Sequence, residues 1–265
     1  MERFSEDIRS KYADSHLKGA EATIDRLLTR VVLESDGYML SPGSMAPAMV
    51  FDLLQCGLRR TLELTDAAIK EINASNMTTS CVLSRAAFET ECLAYDAMRR
   101  VKVVADSGDT KQLTELYEYL KKVSIGGRSK YQISDVEAVS ILTAIQQTSK
   151  RFADVPGELY EMLSEHAHPN YHGMIATYTE IGKPAGVTTF VDRRPGRLEA
   201  ATLAALGAVC NGLDILESAF VTYEKFIDAF VLLAEKRNYE AGEWPKDLPY
   251  PLVRPLKWKM PTKDS

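Results

Sequence analysis

The sequence predicts an all-α fold: a bundle of about seven helices with one β-hairpin inserted near residues 174–192 and an extended, proline-rich C-terminal tail. Three observations predict it. Apolar residues recur at alternating steps of three and four along most of the chain, which is typical of amphipathic helices. Two short runs rich in β-branched residues, separated by GKPAG, interrupt this pattern and indicate a hairpin. Five of the 11 prolines follow residue 238, where they exclude a regular helix.

The N-terminal region is predicted to form two helices. Ser5, followed by two acidic residues, supplies an N-cap for the first. Its apolar stripe continues until the helix ends near residues 35–37. The second helix begins near Ser44, has Pro47 in its first turn and ends at the polar segment 73–76.

Three further helices follow in the middle of the chain. The third covers roughly residues 79–105 and is apolar around most of its circumference, which is typical of a central helix. The fourth runs from about 109 to 123, and the fifth from 134 to about 153, after a loop with two adjacent glycines.

A short sixth helix precedes the predicted hairpin. Pro156 fits its first turn. Pro169 disfavours helical geometry at His168, so we expect the helix to end at or just before that residue. Because two strands alone are marginally stable, we expect the hairpin at 174–192 to lean on the helices or on a second copy of the protein.

The last and longest predicted helix runs from about residue 196 to 237. One face of this helix carries a seam of apolar residues. The side chains of the seam are small in its first half and bulky in its second half, so a neighbouring backbone can approach closely along the first half. The seam consists of Ala201, Ala205, Ala208, Gly212, Ile215, Ala219, Tyr223, Phe226 and Phe230. We therefore expect one helical domain over residues 1–237 and a proline-rich arm over 238–265 that clasps either the body or a partner.

Composition and charge narrow the function classes. The net charge is −5 and the pI about 5.5, so no global basic field attracts nucleic acid. The N-terminus lacks a signal-peptide pattern, and the uncharged apolar stretch 200–213 is shorter than the ~20 residues that span a bilayer. We expect a cytoplasmic protein with no membrane contact. GxGxxG, GxxxxGK[ST] and GxSxG are absent, so familiar nucleotide loops and a nucleophile elbow have no support.

Nucleic acid could bind only through a local basic patch, which would require distant residues to meet in the fold; a charge cluster near a loop is more often a solvated surface. The candidates are Lys121, Lys122, Arg128, Lys130, Arg193, Arg194 and Arg197.

The one concentration of reactive side chains is the segment SEHAHPNYH at 164–172, which holds three of the four histidines. Imidazole suits both proton transfer near neutral pH and metal ligation. One hypothesis is therefore a metal site of His166, His168 and His172, completed by a carboxylate. The alternative, which we favour, has His166 as a hydrogen-bonded core residue and Asn170 as the cap of a turn. On that interpretation the protein needs no cofactor.

Arg85 and Glu89 form a second candidate, one helical turn apart on the central helix. A charged pair among apolar neighbours can orient a histidine, as carboxylates around metal sites do. Asp96 and Arg100 repeat the same spacing of opposite charges, which favours ordinary ion pairs. The candidate catalytic cluster is therefore Arg85, Glu89, His166, His168 and Asn170.

The pattern SRAAFE at 84–89, followed by LSEHAHPN at 163–170, resembles a widespread bacterial family of helical domains. That family is similar in style to the HEPN class, many members of which cleave RNA. The resemblance covers residues 45–235 and implies a helical architecture. HEPN ribonucleases place a histidine four to six positions after an arginine, whereas the nearest arginine before His166 here is Arg151.

Two functional hypotheses follow. The first is a non-enzymatic regulatory or interaction protein that forms homo-oligomers through helix packing, based on the long seam and the arm. The second is a hydrolase that acts on RNA or a phosphate ester at the 164–172 cluster, supported by Arg85 and Glu89, with or without a metal ion.

Overall fold

The computed structural model describes residues 2–127, 135–181, 187–191 and 195–250, and over these ranges the chain is a mostly α-helical bundle with one two-stranded hairpin. The predicted fold class is confirmed. The helices are α1 (Glu6–Lys11), α2 (Asp14–Leu28), α3 (Gly37–Leu40), α4 (Met45–Asn73), α5 (Met77–Ser107), α6 (Thr110–Ile125), α7 (Ile141–Ser149), α8 (Val155–Ala167), α9 (Ala176–Tyr178) and α10 (Pro195–Glu240), with strands β1 (Thr179–Ile181) and β2 (Thr188–Phe190).

The prediction of the first helix is wrong in two respects: the chain breaks it into α1 and α2, and α2 ends at Leu28 and not near residues 35–37. Ser5 does cap α1, but Tyr12 is extended, with φ −124° and ψ 160°. The Arg9 guanidinium then binds Asp14 at 2.6 Å and Glu21 at 2.6 Å, so it spans the break between the two helices. Hydrophobic periodicity does not detect such a break when both halves keep their apolar residues inward.

The strands are shorter than predicted because the start of the expected hairpin is helical. Residues Tyr171–Ile175 form a π-helical turn, and α9 continues from it to Tyr178. The Asn170 side chain caps this turn by accepting a hydrogen bond from the Gly173 N–H at 2.8 Å. Local capping therefore prevails over the β-branched composition.

The chain divides into two compact units, each built from three separate segments. Unit 1 comprises residues 1–25, 60–92 and 145–215; unit 2 comprises 26–59, 93–144 and 216–265. The helices α2, α4, α5, α7 and α10 contribute residues to both units. This division does not test the single-domain prediction for 1–237, which stays a prediction.

Each unit has its own buried residues. Unit 1 buries Leu17, Ile69, Phe88 and Ala205. Unit 2 buries Leu54, Met98, Leu120, Phe220 and Phe230, together with Asp96, whose carboxylate binds Arg100 at 2.9 Å as the spacing predicts.

The predicted seam of α10 is occupied within the chain itself. Its members from Ala201 to Phe230 are almost all buried, Phe226 being half-buried. Because the seam is buried within the chain, it is not available as a surface for self-association. The formation of homo-oligomers stays a prediction. Over Glu199–Glu240, α10 is the one described helix long and apolar enough to cross a membrane, and 61% of its apolar window is buried inside the protein.

The first part of the proline-rich arm packs on the chain's own unit 2. The indole of Trp244 lies against Gly43 and is 9% exposed, and its Nε1 donates a hydrogen bond to the Leu248 carbonyl at 3.2 Å. The arm was predicted to pack either on the body of the protein or on a partner, and the described part of the arm packs on the body. Residues 251–265 lie outside the described part of the chain.

Candidate functional site

The candidate site begins on α5, where Arg85 and Glu89 lie one turn apart. Arg85 Nε donates to Glu89 Oε1 at 3.0 Å, and the two side chains are 22% and 31% exposed. A carboxylate on Nε fixes the plane of the guanidinium and points its two terminal nitrogens away from Glu89.

Those terminal nitrogens reach two side chains of the α8 region. Arg85 Nη1 lies 3.1 Å from His168 Nε2, and Nη2 donates to Tyr160 Oη at 2.8 Å. The guanidinium carbon also lies 4.9 Å from the centre of the Tyr160 ring. The structure thus brings Arg85, Glu89 and His168 together, although His168 follows Arg85 by 83 residues.

The end of α8 sets the position of His168. The helix ends at Ala167, as Pro169 predicts, and His168 is extended with φ −84° and ψ 148°. Its N–H donates to the Ser164 carbonyl at 3.0 Å, which closes the last turn. The imidazole is thereby placed outside the helix, on an exposed residue.

The arginine contact determines which imidazole nitrogen carries a proton. Arginine can only donate hydrogen bonds, so His168 Nε2 must be the acceptor, and in the neutral ring the proton is on Nδ1. The three bonds of Arg85 use three of its five N–H groups. Among the described residues, one N–H on each terminal nitrogen is left for a ligand.

Asn170 has a supporting position beside the cluster. Its Nδ2 donates to Glu165 Oε2 at 3.1 Å while its Oδ1 caps the π-helical turn at Gly173. A Cβ atom on Gly173 would collide with the His168 carbonyl oxygen and lie 3.2 Å from the carbonyl carbon. The turn therefore packs closely against the backbone that presents His168.

The other two histidines do not complete a metal centre in the part of the chain that the structure describes. His166 is half-buried on α8, and His172 lies in the π-helical turn with its ring edge-on to Tyr171. No group of three or more His, Cys, Asp or Glu side chains among the described residues is placed to hold a metal ion. The metal hypothesis for His166, His168 and His172 stays a prediction.

The predicted basic patch is mostly outside the described residues. Arg128, Lys130, Arg193 and Arg194 lie there, as does the side chain of Arg197. Lys121 belongs to unit 2, where it binds Glu118 at 3.2 Å, and its neighbour Lys122 is exposed.

Sequence reasoning missed Tyr160. The signal was available, because Tyr160 and Ser164 lie one turn apart on α8 and His168 follows one turn later. The Ser164 hydroxyl donates to the Tyr160 carbonyl at 2.7 Å. The prediction used only the apolar side of this helix and so overlooked its polar side.

Glu91, close in sequence to the cluster, carries a buried carboxyl group. It is 1% exposed, and neither carboxyl oxygen has a hydrogen-bond partner among the described residues. Burial raises the pKa of Glu91 well above its usual range. Its carboxyl group occupies the space that a side chain on Gly212 would fill.

Comparisons with family models, curated proteins and solved structures find no match for this chain.

The geometry defines what the site can do chemically. A fixed guanidinium with remaining donors binds an oxyanion such as phosphate. An exposed imidazole and a phenol hydroxyl beside it are suited to proton transfer. Anion binding and proton transfer are thus available at one place on unit 1.

Proposed function

We propose that this chain is a hydrolase that cleaves phosphodiester bonds in RNA, with Arg85, Tyr160 and His168 as catalytic residues. The observation that carries the proposal is the shared guanidinium of Arg85, which contacts His168 at 3.1 Å and Tyr160 at 2.8 Å. Cleavage assisted by a 2′-hydroxyl requires one group that binds the phosphate and two groups that transfer protons.

In the proposed reaction the phosphate binds the remaining N–H groups of Arg85 and displaces the imidazole from Nη1. His168 Nε2 then accepts the proton of the 2′-hydroxyl as the 2′ oxygen bonds to phosphorus. The bond from phosphorus to the 5′ oxygen breaks, and that oxygen takes a proton from Tyr160 Oη. The products are a 2′,3′-cyclic phosphate and a 5′-hydroxyl. In a second step, water gives a proton to the Tyr160 phenolate and attacks phosphorus, and the 2′ oxygen leaves with the proton of His168, which completes the hydrolysis and restores both residues.

Glu89 acts as a positioning residue in this scheme. Its bond to Arg85 Nε leaves both terminal nitrogens directed to the reacting groups. The arrangement also differs from the arginine–histidine motif of HEPN ribonucleases, because the arginine lies on α5 and the histidine follows α8. The resemblance implies the helical architecture, and RNA is proposed as the substrate because it carries the 2′-hydroxyl beside a phosphate that this chemistry needs.

The test measures cleavage of a fluorophore-quencher RNA by purified wild-type protein and by His168→Ala, Arg85→Ala and Arg151→Ala. We expect at least about 100-fold loss of kcat/KM for His168→Ala and Arg85→Ala. Arg151→Ala removes the same charge from an exposed residue and is the control. An oligonucleotide with a single 2′-deoxy at the cleaved position should resist cleavage.

Two results would overturn the proposal. One is wild-type protein that leaves RNA intact. The other is His168→Ala protein that cleaves as fast as wild type, since the activity would then belong to another site or to a contaminant. Matching thermal melting curves for each variant separate lost chemistry from lost folding.

A further inference from the structure

Two features of unit 1 extend the candidate site along α5. The first is a stripe of this helix formed by Thr78, Val82, Arg85 and Glu89, whose spacings of four, three and four residues return to one face. Val82 is 45% exposed, so the face next to Arg85 is open to solvent. Thr78 and Arg85 lie seven residues apart, which is about 10 Å along the axis.

The second feature is Tyr178, which is anchored at the far end of this stripe. Its hydroxyl lies 3.0 Å from Thr78 Oγ1, in a bond that either oxygen can donate. Its carbonyl accepts a hydrogen bond from the Val191 N–H at 3.0 Å, which ties its backbone to the hairpin. The residue is nevertheless 42% exposed. The side chain is therefore held at its hydroxyl end, in a residue that keeps part of its surface open to solvent.

We propose that this α5 stripe is a track for single-stranded RNA, on which a base stacks against the Tyr178 ring while a neighbouring phosphate binds Arg85. The proposal rests on the proposed ribonuclease function and names the site that would hold its substrate. Every base has an aromatic face, so stacking on one tyrosine binds RNA with little sequence preference.

The remaining N–H donors of Arg85 and the rigidity of Tyr178 favour RNA over a protein segment as the occupant. At one end of the stripe, Arg85 has donors left for an anion, which a repeating phosphate backbone supplies. At the other end, the hydrogen-bonded Tyr178 ring is fixed before the ligand arrives, so little conformational entropy is lost on stacking. An anionic chain with flat bases matches both ends.

The experiment compares Tyr178→Ala, Tyr178→Phe and Phe190→Ala in two assays. Phe190 is the matched control, an aromatic residue of β2 that is 82% exposed and pairs with Thr179, the residue after Tyr178. The first assay is fluorescence anisotropy with an uncleavable 2′-O-methyl octanucleotide. The second is cleavage of an octanucleotide and of a dinucleotide RNA.

We expect Tyr178→Ala to weaken octanucleotide binding about 5- to 150-fold, the range for the loss of one base stack. Tyr178→Phe keeps the ring and should weaken it far less, and Phe190→Ala should leave it unchanged. Cleavage of the octanucleotide at low RNA concentration should fall in proportion to binding for Tyr178→Ala, whereas Phe190→Ala should cleave both RNAs as wild type does.

The outcomes separate this inference from the proposed function. If wild-type protein cleaves RNA and Tyr178→Ala binds the octanucleotide as tightly as wild type, the track is refuted while the ribonuclease stands. If wild-type protein binds the octanucleotide with an affinity that depends on Tyr178 but cleaves nothing, the hydrolase is refuted and the binding surface stands. If the Tyr178 dependence appears only with a peptide ligand, the occupant is a protein segment and the RNA track is refuted.

Discussion

Substitutions at Gly212 and Glu91 should have strongly coupled effects on the free energy of unfolding. Substituting alanine for Gly212 places a methyl carbon 2.6 Å from Glu91 Cδ. Carbon atoms pack best at about 3.5–4.0 Å, so the two helices or the carboxyl group must move by about 1 Å. Overpacking of this kind costs about 1–3 kcal/mol. An alanine in a helix interior recovers about 1 kcal/mol relative to glycine.

The two effects can be separated by truncating the carboxyl group. In a Glu91→Ala background the obstacle is gone, so we expect Gly212→Ala to stabilise the protein by about 1 kcal/mol. In the wild-type background the same change should be neutral or destabilise by up to about 2 kcal/mol. The wild type, the two single variants and the double variant form a double-mutant cycle. Its interaction energy is the packing strain alone, about 1–3 kcal/mol.

Urea denaturation followed by circular dichroism, on the wild type, both single variants and the double variant, measures this cycle. Gly19→Ala is the control, because a Cβ atom there meets nothing within 4 Å, so it should only show the helix-propensity gain. An interaction energy within about 0.5 kcal/mol of zero would refute the close approach of α5 and α10 at this point.

Three further predictions test other parts of the fold. Burial raises the pKa of Glu91 in the folded state, whereas in the unfolded chain this carboxyl group titrates near pH 4.3. Above that pH, the stability of the wild type relative to Glu91→Gln should therefore fall by up to about 1.4 kcal/mol per pH unit, until the raised pKa of the folded state is passed. Urea midpoints of both proteins across about pH 4–8 measure this difference, and parallel pH curves would contradict it. Gly43→Ala should destabilise by about 1–3 kcal/mol and shift tryptophan emission, since a Cβ atom would lie 2.8 Å from Trp244 Cη2; unchanged melting would argue against this packing. In thiol titration with a disulfide reagent, the exposed Cys56 should react at once, whereas Cys81, whose pKa burial raises to about 12, should react only on unfolding; equal rates would show that Cys81 is accessible.

Local rules account for the parts of the fold and site that the sequence predicts. Pro169 limits the backbone of the residue before it, which is enough to end α8 and to place His168 outside the helix. The Arg85–Glu89 pair follows from spacing on one helix. In both cases the determining residues are within four positions of each other, so no tertiary information is needed.

Contacts between distant segments account for what the sequence leaves out. The choice of His168 over His166 as the partner of Arg85 depends on how α8 lies against α5, which periodicity does not give. The role of Tyr160 requires the same information. The burial of Glu91 was not predicted. A helix that is apolar around nearly its whole circumference indicates that apolar side chains are buried, and it does not indicate that a carboxyl group is buried among them.

The two glutamates of α5 provide a test that separates folding from function. At about 100° per residue, Glu89 and Glu91 project about 200° apart, so one faces the candidate site and the other the interior. Glu89→Gln disturbs an ion pair that is partly solvated and should change stability by less than about 1 kcal/mol, while it loosens Arg85 and lowers kcat/KM for RNA. Glu91→Gln should change stability in a pH-dependent way and leave RNA cleavage at the wild-type rate, measured where both proteins are folded. If both substitutions lower cleavage in proportion to stability, the Arg85 cluster is a structural ion-pair network and not a reaction site.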